Sequence, residues 1–419
     1  MNRAEPTLRT NFLWTFTGNV VYAACLWGML VVLTRLGSTG VVGRYALASA
    51  VATPVFVFAN LQLRAVLVSD ARDEHVFRDY LGVRTLMLPL ALAAVAAAGA
   101  LGYSGAQVAA IVLFGLARGV ESLSDIFYGY AQKRERLDLV ARSMIIKGLA
   151  ALSLFATVFA ATDDLIPALA AMAAGWAVPL LVYDIPRCRA LMREAGAPAE
   201  ALKPRWRRPT LRAIIWTALP MGLVMLLIQL RNTIPRTLLE SAFGEETLGV
   251  FAALAYIVYA GSVVVMALSQ ASIARLSRAY AAGELAAFRA TVGRLVLVGA
   301  AIGLSGVAAA KLAGGPILSL IYGREYARET DLFLLIMVAG GVSYVGSLLG
   351  APATAMRAFR AQLGIHAFNT LVLLALGWIL IPRHGMMGAA WTMLGGAATV
   401  TLCYAVLVYR GASGEGGEA

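Results

Sequence analysis

The residues best suited to chemistry lie together inside one apolar segment, 106–129. They are an arginine, two acids and a serine: Arg118, Glu121, Ser122 and Asp125. Spacings of three, four and seven residues place all four on one face of a helix. An ionised side chain facing lipid costs roughly 2.5–3.5 kcal/mol, so this face must point into the protein.

Two interpretations of this face stay open. In the first, Arg118 and Glu121 form an ion pair that only joins helices. In the second, the face lines a water-filled site in which Asp125 or Glu121 exchanges a proton or a cation. Asp125 lies about two turns from Arg118, so we expect it to be the less neutralised acid and favour it as the titrating group.

Further polar residues lie in other apolar segments. Lys147, Arg231 and Arg64 are basic, and Asn19 belongs to a polar stripe on the first segment. The stripe consists of Asn11, Thr15, Asn19 and Tyr22. Basic side chains near helix ends often only reach for the membrane surface, and polar stripes often only join helices, so these alternatives stay open. The four in-segment cations outnumber the two acids by two, and a cavity of that sign favours an anionic ligand.

Motifs for enzymatic chemistry are missing from the sequence. It contains no Gly-Lys dipeptide of a phosphate-binding loop, no HExxH, no CxxC and no GxSxG. Its cysteines, Cys25, Cys188 and Cys403, suit neither a disulfide framework nor a zinc site. We therefore expect a protein that is not an enzyme and that uses no cofactor or metal.

The composition identifies the solvent around these residues. Of the 419 residues, 60% are hydrophobic and 14% are charged, against roughly 45–50% and about 25% in a soluble domain. Such a chain must lie in a bilayer, and the sequence predicts an all-α, polytopic membrane protein. Twelve segments are long enough to span it: 11–34, 42–67, 82–102, 106–129, 142–161, 165–185, 213–237, 248–272, 291–312, 331–350, 363–382 and 386–409.

The basic residues are distributed unevenly between the connecting loops. Alternate loops and the two ends carry 24 Lys and Arg residues, and the opposite loops carry seven. Positive charge concentrates on the cytoplasmic side, so both termini are predicted to be cytoplasmic. The formal net charge of +12 is thus explained by topology and by contact with anionic membrane lipids, and we expect no nucleic-acid partner.

The chain divides into two related halves. A basic, proline-containing stretch, 186–212, separates an N-terminal lobe (1–185) from a C-terminal lobe (213–410), each with six helices, and 411–419 is expected to be a flexible tail. Gly37–Ala46 resembles Gly244–Ala252, which indicates an internal repeat. A repeat of six helices predicts two lobes related by a pseudo-twofold axis along the membrane normal.

Three short motifs make the chain similar to a known family. They are Leu36–Ala48, Phe58–Leu61 with Arg64, and Ile321–Tyr326. In these the chain resembles the polysaccharide-exporter branch, the O-antigen and exopolysaccharide flippases, of the multidrug/oligosaccharidyl-lipid/polysaccharide exporter (MOP) superfamily. The resemblance extends over essentially the whole chain.

The resemblance implies a flippase of the bacterial inner membrane. Its substrate would be an undecaprenyl-pyrophosphate-linked oligosaccharide, moved by alternating access for surface polysaccharide biosynthesis. Arg118, Lys147 and Arg231, with Arg64 and Asn19, would bind the substrate, and Glu121 or Asp125 would couple an ion. The implied partners are polysaccharide polymerase or assembly proteins, and we expect a monomer.

Other classes fit less well. An efflux pump for cationic drugs should present unpaired acids rather than bases. A major-facilitator carrier should have a glycine-rich basic loop where this chain has Ser69–Glu74, which contains no glycine. A membrane glycan polymerase or ligase should have a large outer loop, and the outer loops here are short. The alternative kept is a multidrug or other small-solute exporter on the same fold.

Overall fold

The computed structural model describes residues 8–70, 74–196 and 198–412. This part of the chain is helical and contains no strand. The helices are α1 (Leu8–Leu36), α2 (Thr39–Ala59), α3 (Leu63–Ser69), α4 (Phe77–Gly102), α5 (Gly105–Lys133), α6 (Leu137–Thr162), α7 (Leu165–Pro179), α8 (Ile185–Glu194), α9 (Arg208–Ala281), α10 (Leu285–Ile321), α11 (Thr330–Ala355) and α12 (Phe359–Ala412).

The number of membrane segments agrees with the sequence. Over the described residues, ten helical stretches are long and apolar enough to cross a bilayer. Two of them, α9 and α12, have 74 and 54 residues. Each is interrupted by a glycine in the left-handed region, Gly244 (φ 81°) or Gly385 (φ 55°). Each half is long enough to cross alone at about 1.5 Å per residue, so the predicted all-α polytopic fold with about twelve segments is confirmed.

The second predicted segment, 42–67, is two helices. α2 ends at Ala59, and Leu61 (φ 47°) and Gln62 (φ 51°) form a left-handed turn before α3 begins. The turn is closed by a hydrogen bond from the Leu63 N–H to the Asn60 carbonyl, 3.0 Å. The break leaves the Asn60 side chain at a helix end, where it meets α4 and α5.

A π-helical turn, Leu180–Asp184, joins α7 to α8. In an α-helix the Val182 carbonyl would accept a hydrogen bond from residue 186, but Pro186 has no N–H. The chain instead closes a wider turn, in which the Ile185 N–H donates to the Leu180 carbonyl. Such turns insert one extra residue into a helix and change the direction of its side chains.

The chain forms two compact units. The first contains α1 and Arg44–Gln229, and the second contains the chain from Leu230 onward together with Ser38–Gly43. The join therefore lies inside α9, at 229/230, and not within the stretch 186–212 that the sequence analysis treated as a linker. The predicted tail, 411–419, lies mostly outside the described residues, and the pseudo-twofold repeat stays a prediction.

The expected linker belongs to the first unit because it packs on α4. The guanidinium of Arg205 donates two hydrogen bonds to the fully buried Asp79 carboxylate, at 2.5 and 2.6 Å. The Arg205 N–H also donates to the Arg78 carbonyl at 3.0 Å. Met192 and Leu211, on either side of this contact, share a hydrophobic cluster with α4.

The two repeated motifs of the sequence meet inside the second unit. A side chain on Gly43 would lie 1.7 Å from the Glu245 carbonyl oxygen, and one on Gly249 would lie 2.0 Å from that of Thr39. Only glycine allows this backbone approach. The start of α2 is thereby fixed against α9.

Candidate functional site

The charged face of α5 lies within the first unit, as an ion pair followed by a second, separate acid. Arg118 is paired with Glu121, one turn further along the helix. Glu121 also accepts a hydrogen bond from the Tyr22 hydroxyl of α1, at 2.7 Å. The Arg118 and Glu121 side chains are 21% and 24% exposed, so the pair is open to a ligand and also joins α1 to α5.

Asp125 is the more strongly paired of the two acids. One carboxylate oxygen lies 3.1 Å from the Arg84 guanidinium, and the other lies 3.5 Å from that of Arg64. This corrects the expectation that Asp125 would be the less neutralised acid. Sequence distance from Arg118 did not reveal two arginines that arrive from other helices.

Arg84 is the residue that the sequence analysis missed. It was assigned to a cytoplasmic loop, but α4 begins at Phe77, so Arg84 lies two turns inside the helix. Its side chain is only 1% exposed. It donates hydrogen bonds to Ser122 at 3.0 Å and to Asn60. The acidic residue in the first turn, Asp79, is a helix-start signal that could have placed Arg84 correctly.

Arg64 and Lys147 contact opposite neighbours of the same tyrosine. The Arg64 guanidinium lies 5.7 Å from the centre of the Tyr128 ring and donates to Gln132 at 2.9 Å. The Lys147 ammonium lies 4.8 Å from the same ring. Both distances suit cation–π attraction. Tyr128 therefore holds two of the predicted substrate-binding cations near α5.

Two predicted site residues lie elsewhere. Asn19 is exposed, and its amide donates to the Thr15 carbonyl of its own helix at 2.8 Å. Its stripe partner Asn11 has a side chain outside the described part. Arg231 belongs to the second unit, where it lies near Tyr404 and His366.

The surroundings of Arg231 contain no acid that neutralises it. Tyr404 and His366 bond to each other through the hydroxyl and Nε2, at 3.1 Å. Within the described ranges, Arg231 forms no ion pair. A guanidinium in a membrane segment without a counter-charge suits an anionic ligand.

The first unit has one more cation than it has acids around this face. Arg64, Arg84, Arg118 and Lys147 stand against Glu121, Asp125 and Asp184. Across the described residues, no three His, Cys, Asp or Glu side chains are grouped as metal ligands. The arrangement is therefore suited to holding an anion by charge and hydrogen bonding.

No protein-family model matches the sequence. A curated relative, the capsular polysaccharide biosynthesis protein CapF of Staphylococcus aureus, is 26% identical over 387 residues. The match covers 91% of this chain and 94% of CapF.

Several solved structures share the fold. An inward-facing multidrug resistance MATE family transporter of the MOP superfamily has a TM-score of 0.69 at 15% identity, covering 97% of this chain and 96% of that one. A variant of the Vibrio cholerae MATE transporter VcmN has a TM-score of 0.67 at 14% identity, covering 98% and 97%. A MOP superfamily transporter from Pyrococcus furiosus, described as having a binding pocket of reverse polarity, has a TM-score of 0.64 at 15% identity, covering 96% and 94%.

These findings define the class of protein. The chain is a multi-pass membrane protein with the fold of MOP superfamily transporters. Its resemblance to the polysaccharide-exporter branch of that superfamily, predicted from the sequence, is confirmed by the capsular polysaccharide relative together with the fold.

Proposed function

We propose that the protein is a flippase for an undecaprenyl-pyrophosphate-linked oligosaccharide used in surface polysaccharide biosynthesis. The observation that carries this proposal is the excess of cations in the membrane segments. Arg231 has no acid partner among the described residues, and the face on α5 has a net positive charge. A pyrophosphate is the membrane-bound anion that such guanidinium and ammonium groups bind well.

The proposal includes transport by alternating access without chemical change of the substrate. The sequence has no nucleotide-binding loop, so an ion gradient or the substrate gradient supplies the drive. The relative's role in capsular polysaccharide biosynthesis supports a glycan as the cargo. Polysaccharide polymerase or assembly proteins are the proposed partners of a monomeric transporter.

Removing the protein from its host tests this function. We expect surface polysaccharide to disappear and lipid-linked oligosaccharide to accumulate on the inner leaflet, because the carrier lipid cannot cross unaided with a charged and glycosylated head. Surface polysaccharide and leaflet-specific accessibility of the lipid-linked units are the measurements, and restoring the gene is the control. Normal polysaccharide together with new sensitivity to cationic drugs would instead support the small-solute exporter.

The proposed orientation places both termini in the cytoplasm of the inner membrane. The exposed arginines of α8, Arg187, Arg189 and Arg193, would then face the anionic lipids of the inner leaflet.

Single cysteines in a cysteine-free background test the orientation. At Ser38 or Asp163, both exposed, a cysteine should react with an impermeant thiol reagent added outside the cell. At Glu135 or Glu194, also exposed, it should react only after the membrane is opened. Labelling of Glu194 but not of Asp163 from outside would reverse the topology.

A further inference from the structure

A second group of buried polar residues lies where α5, α6 and the π turn meet. Asp184 ends the π turn and is 5% exposed, and Lys147 on α6 is 1% exposed. Ser124 on α5 and Ser143 on α6 are fully buried beside the Asp184 carboxylate. The group is distinct from the Arg84–Asp125 contact on the other side of α5.

The polar atoms of this group are incompletely satisfied. Within the part of the chain that the structure describes, Lys147 Nζ, Asp184 Oδ2 and Ser124 Oγ have no hydrogen-bond partner. Burying a charged group without hydrogen bonds costs several kcal/mol, so such groups are retained in proteins mainly where they have a task. The π turn that positions Asp184 is itself a feature found often at functional sites.

A pocket gives Asp184 a route to the end of the bundle. The pocket has a volume of about 260 Å³. Asp184 and Tyr128 form its inner wall, while Arg187 and Leu191 of α8 belong to its outer part. Because α8 carries exposed arginines, the predicted topology makes this the cytoplasmic side. A small ion or a proton can therefore reach the carboxylate from the cytoplasm.

The charges around the pair suit a proton better than a metal cation. Lys147 is the cation whose charge acts on Asp184, and an ammonium group repels a metal ion from the same carboxylate. Lys147 in turn is acted on most by Asp184. The other titratable or charged groups facing the pair are Arg118, Glu121, Asp125 and Tyr128 from α5, and Tyr183, Arg187 and Cys188 from the π turn and α8.

We propose that the Asp184–Lys147 pair is the proton-binding site of the transporter, filled from the pocket beside α8. A proton arriving from the cytoplasm forms an O–H bond on the Asp184 carboxylate. The Lys147 ammonium then loses its nearest counter-charge, so its attraction for Glu121, Asp125 or an anionic ligand increases. Proton binding at Asp184 is thereby linked to anion binding at the face of α5.

Asp125 fits this role less well. Two guanidinium groups, from Arg84 and Arg64, lie within 3.5 Å of its carboxylate. Arginine stays protonated in proteins, so both contacts favour the ionised acid at all working pH values. Asp184 has no arginine contact among the described residues, and its cationic neighbour is a lysine, which can move on a flexible stem.

Infrared difference spectroscopy of the purified full chain tests the proton site without any substrate. The wild-type protein should show the carbonyl stretch of a protonated carboxyl group that appears as pH falls through the neutral range. The band should be lost in Asp184→Asn and kept in Asp125→Asn and in Asp163→Asn, the matched exposed control. In Lys147→Met the carboxyl group should stay protonated across that range, because its nearest cation is gone.

Several results would overturn the assignment. They are a wild-type protein without the band, a band that survives in Asp184→Asn, and a band that is lost in Asp125→Asn alone. If Asp184→Asn fails to fold, Asp184→Glu decides: a shifted band supports the site, and an unshifted band contradicts it.

The link to transport rests on the proposed function and needs vesicles containing undecaprenyl-pyrophosphate-linked oligosaccharide. A pH gradient should accelerate translocation by the wild-type protein and leave Asp184→Asn unaffected. A response to the gradient that is equal in both would overturn the coupling role. Absence of translocation in every vesicle would count against the flippase function, while the infrared result would still decide the proton site.

Discussion

Replacing Arg231 with alanine should reduce polysaccharide export at least about tenfold, because a hydrogen bond to a charged group contributes about 1.5–3 kcal/mol and about 1.4 kcal/mol corresponds to a factor of ten. The structure shows no ion pair of Arg231 within the described residues, so its loss leaves no acid behind. Protein abundance should therefore stay near normal. Export of surface polysaccharide and the amount of protein in the membrane are the two measurements.

The same logic extends to the cations of the first unit. Lys147→Ala and Arg118→Ala should also reduce export, and Arg118→Lys should restore part of it because the charge near Glu121 returns. Arg383→Ala, at an exposed position in the second unit, is the matched control and should export normally. If Arg231→Ala, Lys147→Ala and Arg118→Ala all export like the wild type, binding of the pyrophosphate by these cations is wrong.

Replacing Arg84 with alanine should destabilise the protein by about 3–5 kcal/mol, the usual cost of removing one partner of a buried ion pair. The change leaves Asp125 with only Arg64 at 3.5 Å and removes a donor from both Ser122 and Asn60. Loss of folded protein from the membrane, or a lower midpoint of thermal unfolding in detergent, is the expected result.

A second substitution separates the charge effect from simple loss of volume. Adding Asp125→Asn to Arg84→Ala should recover part of the stability, because the acid left without its main partner is neutralised. Arg189→Ala, at an exposed position on α8, should have little effect. A stability for Arg84→Ala equal to that of Arg189→Ala would show that the Arg84 contacts contribute nothing.

Local relations along one helix were predictable from the sequence. Hydropathy placed the membrane segments, since a bilayer of about 30 Å imposes a length on each of them. The spacing of Arg118 and Glu121 brought them onto one face, because residues three apart in a helix are neighbours. The structure pairs these two side chains. The resemblance to polysaccharide exporters also came from contiguous motifs.

Relations between helices were decided by the tertiary structure. Arg84 and Asp125 are 41 residues apart, and nothing in their spacing indicates that α4 and α5 bring them together. Tyr22 meets Glu121 across 99 positions, and Arg205 fastens the expected linker to Asp79 across 126. Packing of apolar surface sets which helices are neighbours, and only then do buried charges find their partners. Sequence alone therefore identified which polar residues lie in the membrane, whereas the fold determined which acid is held by arginines and which one, Asp184, faces a lysine and a pocket.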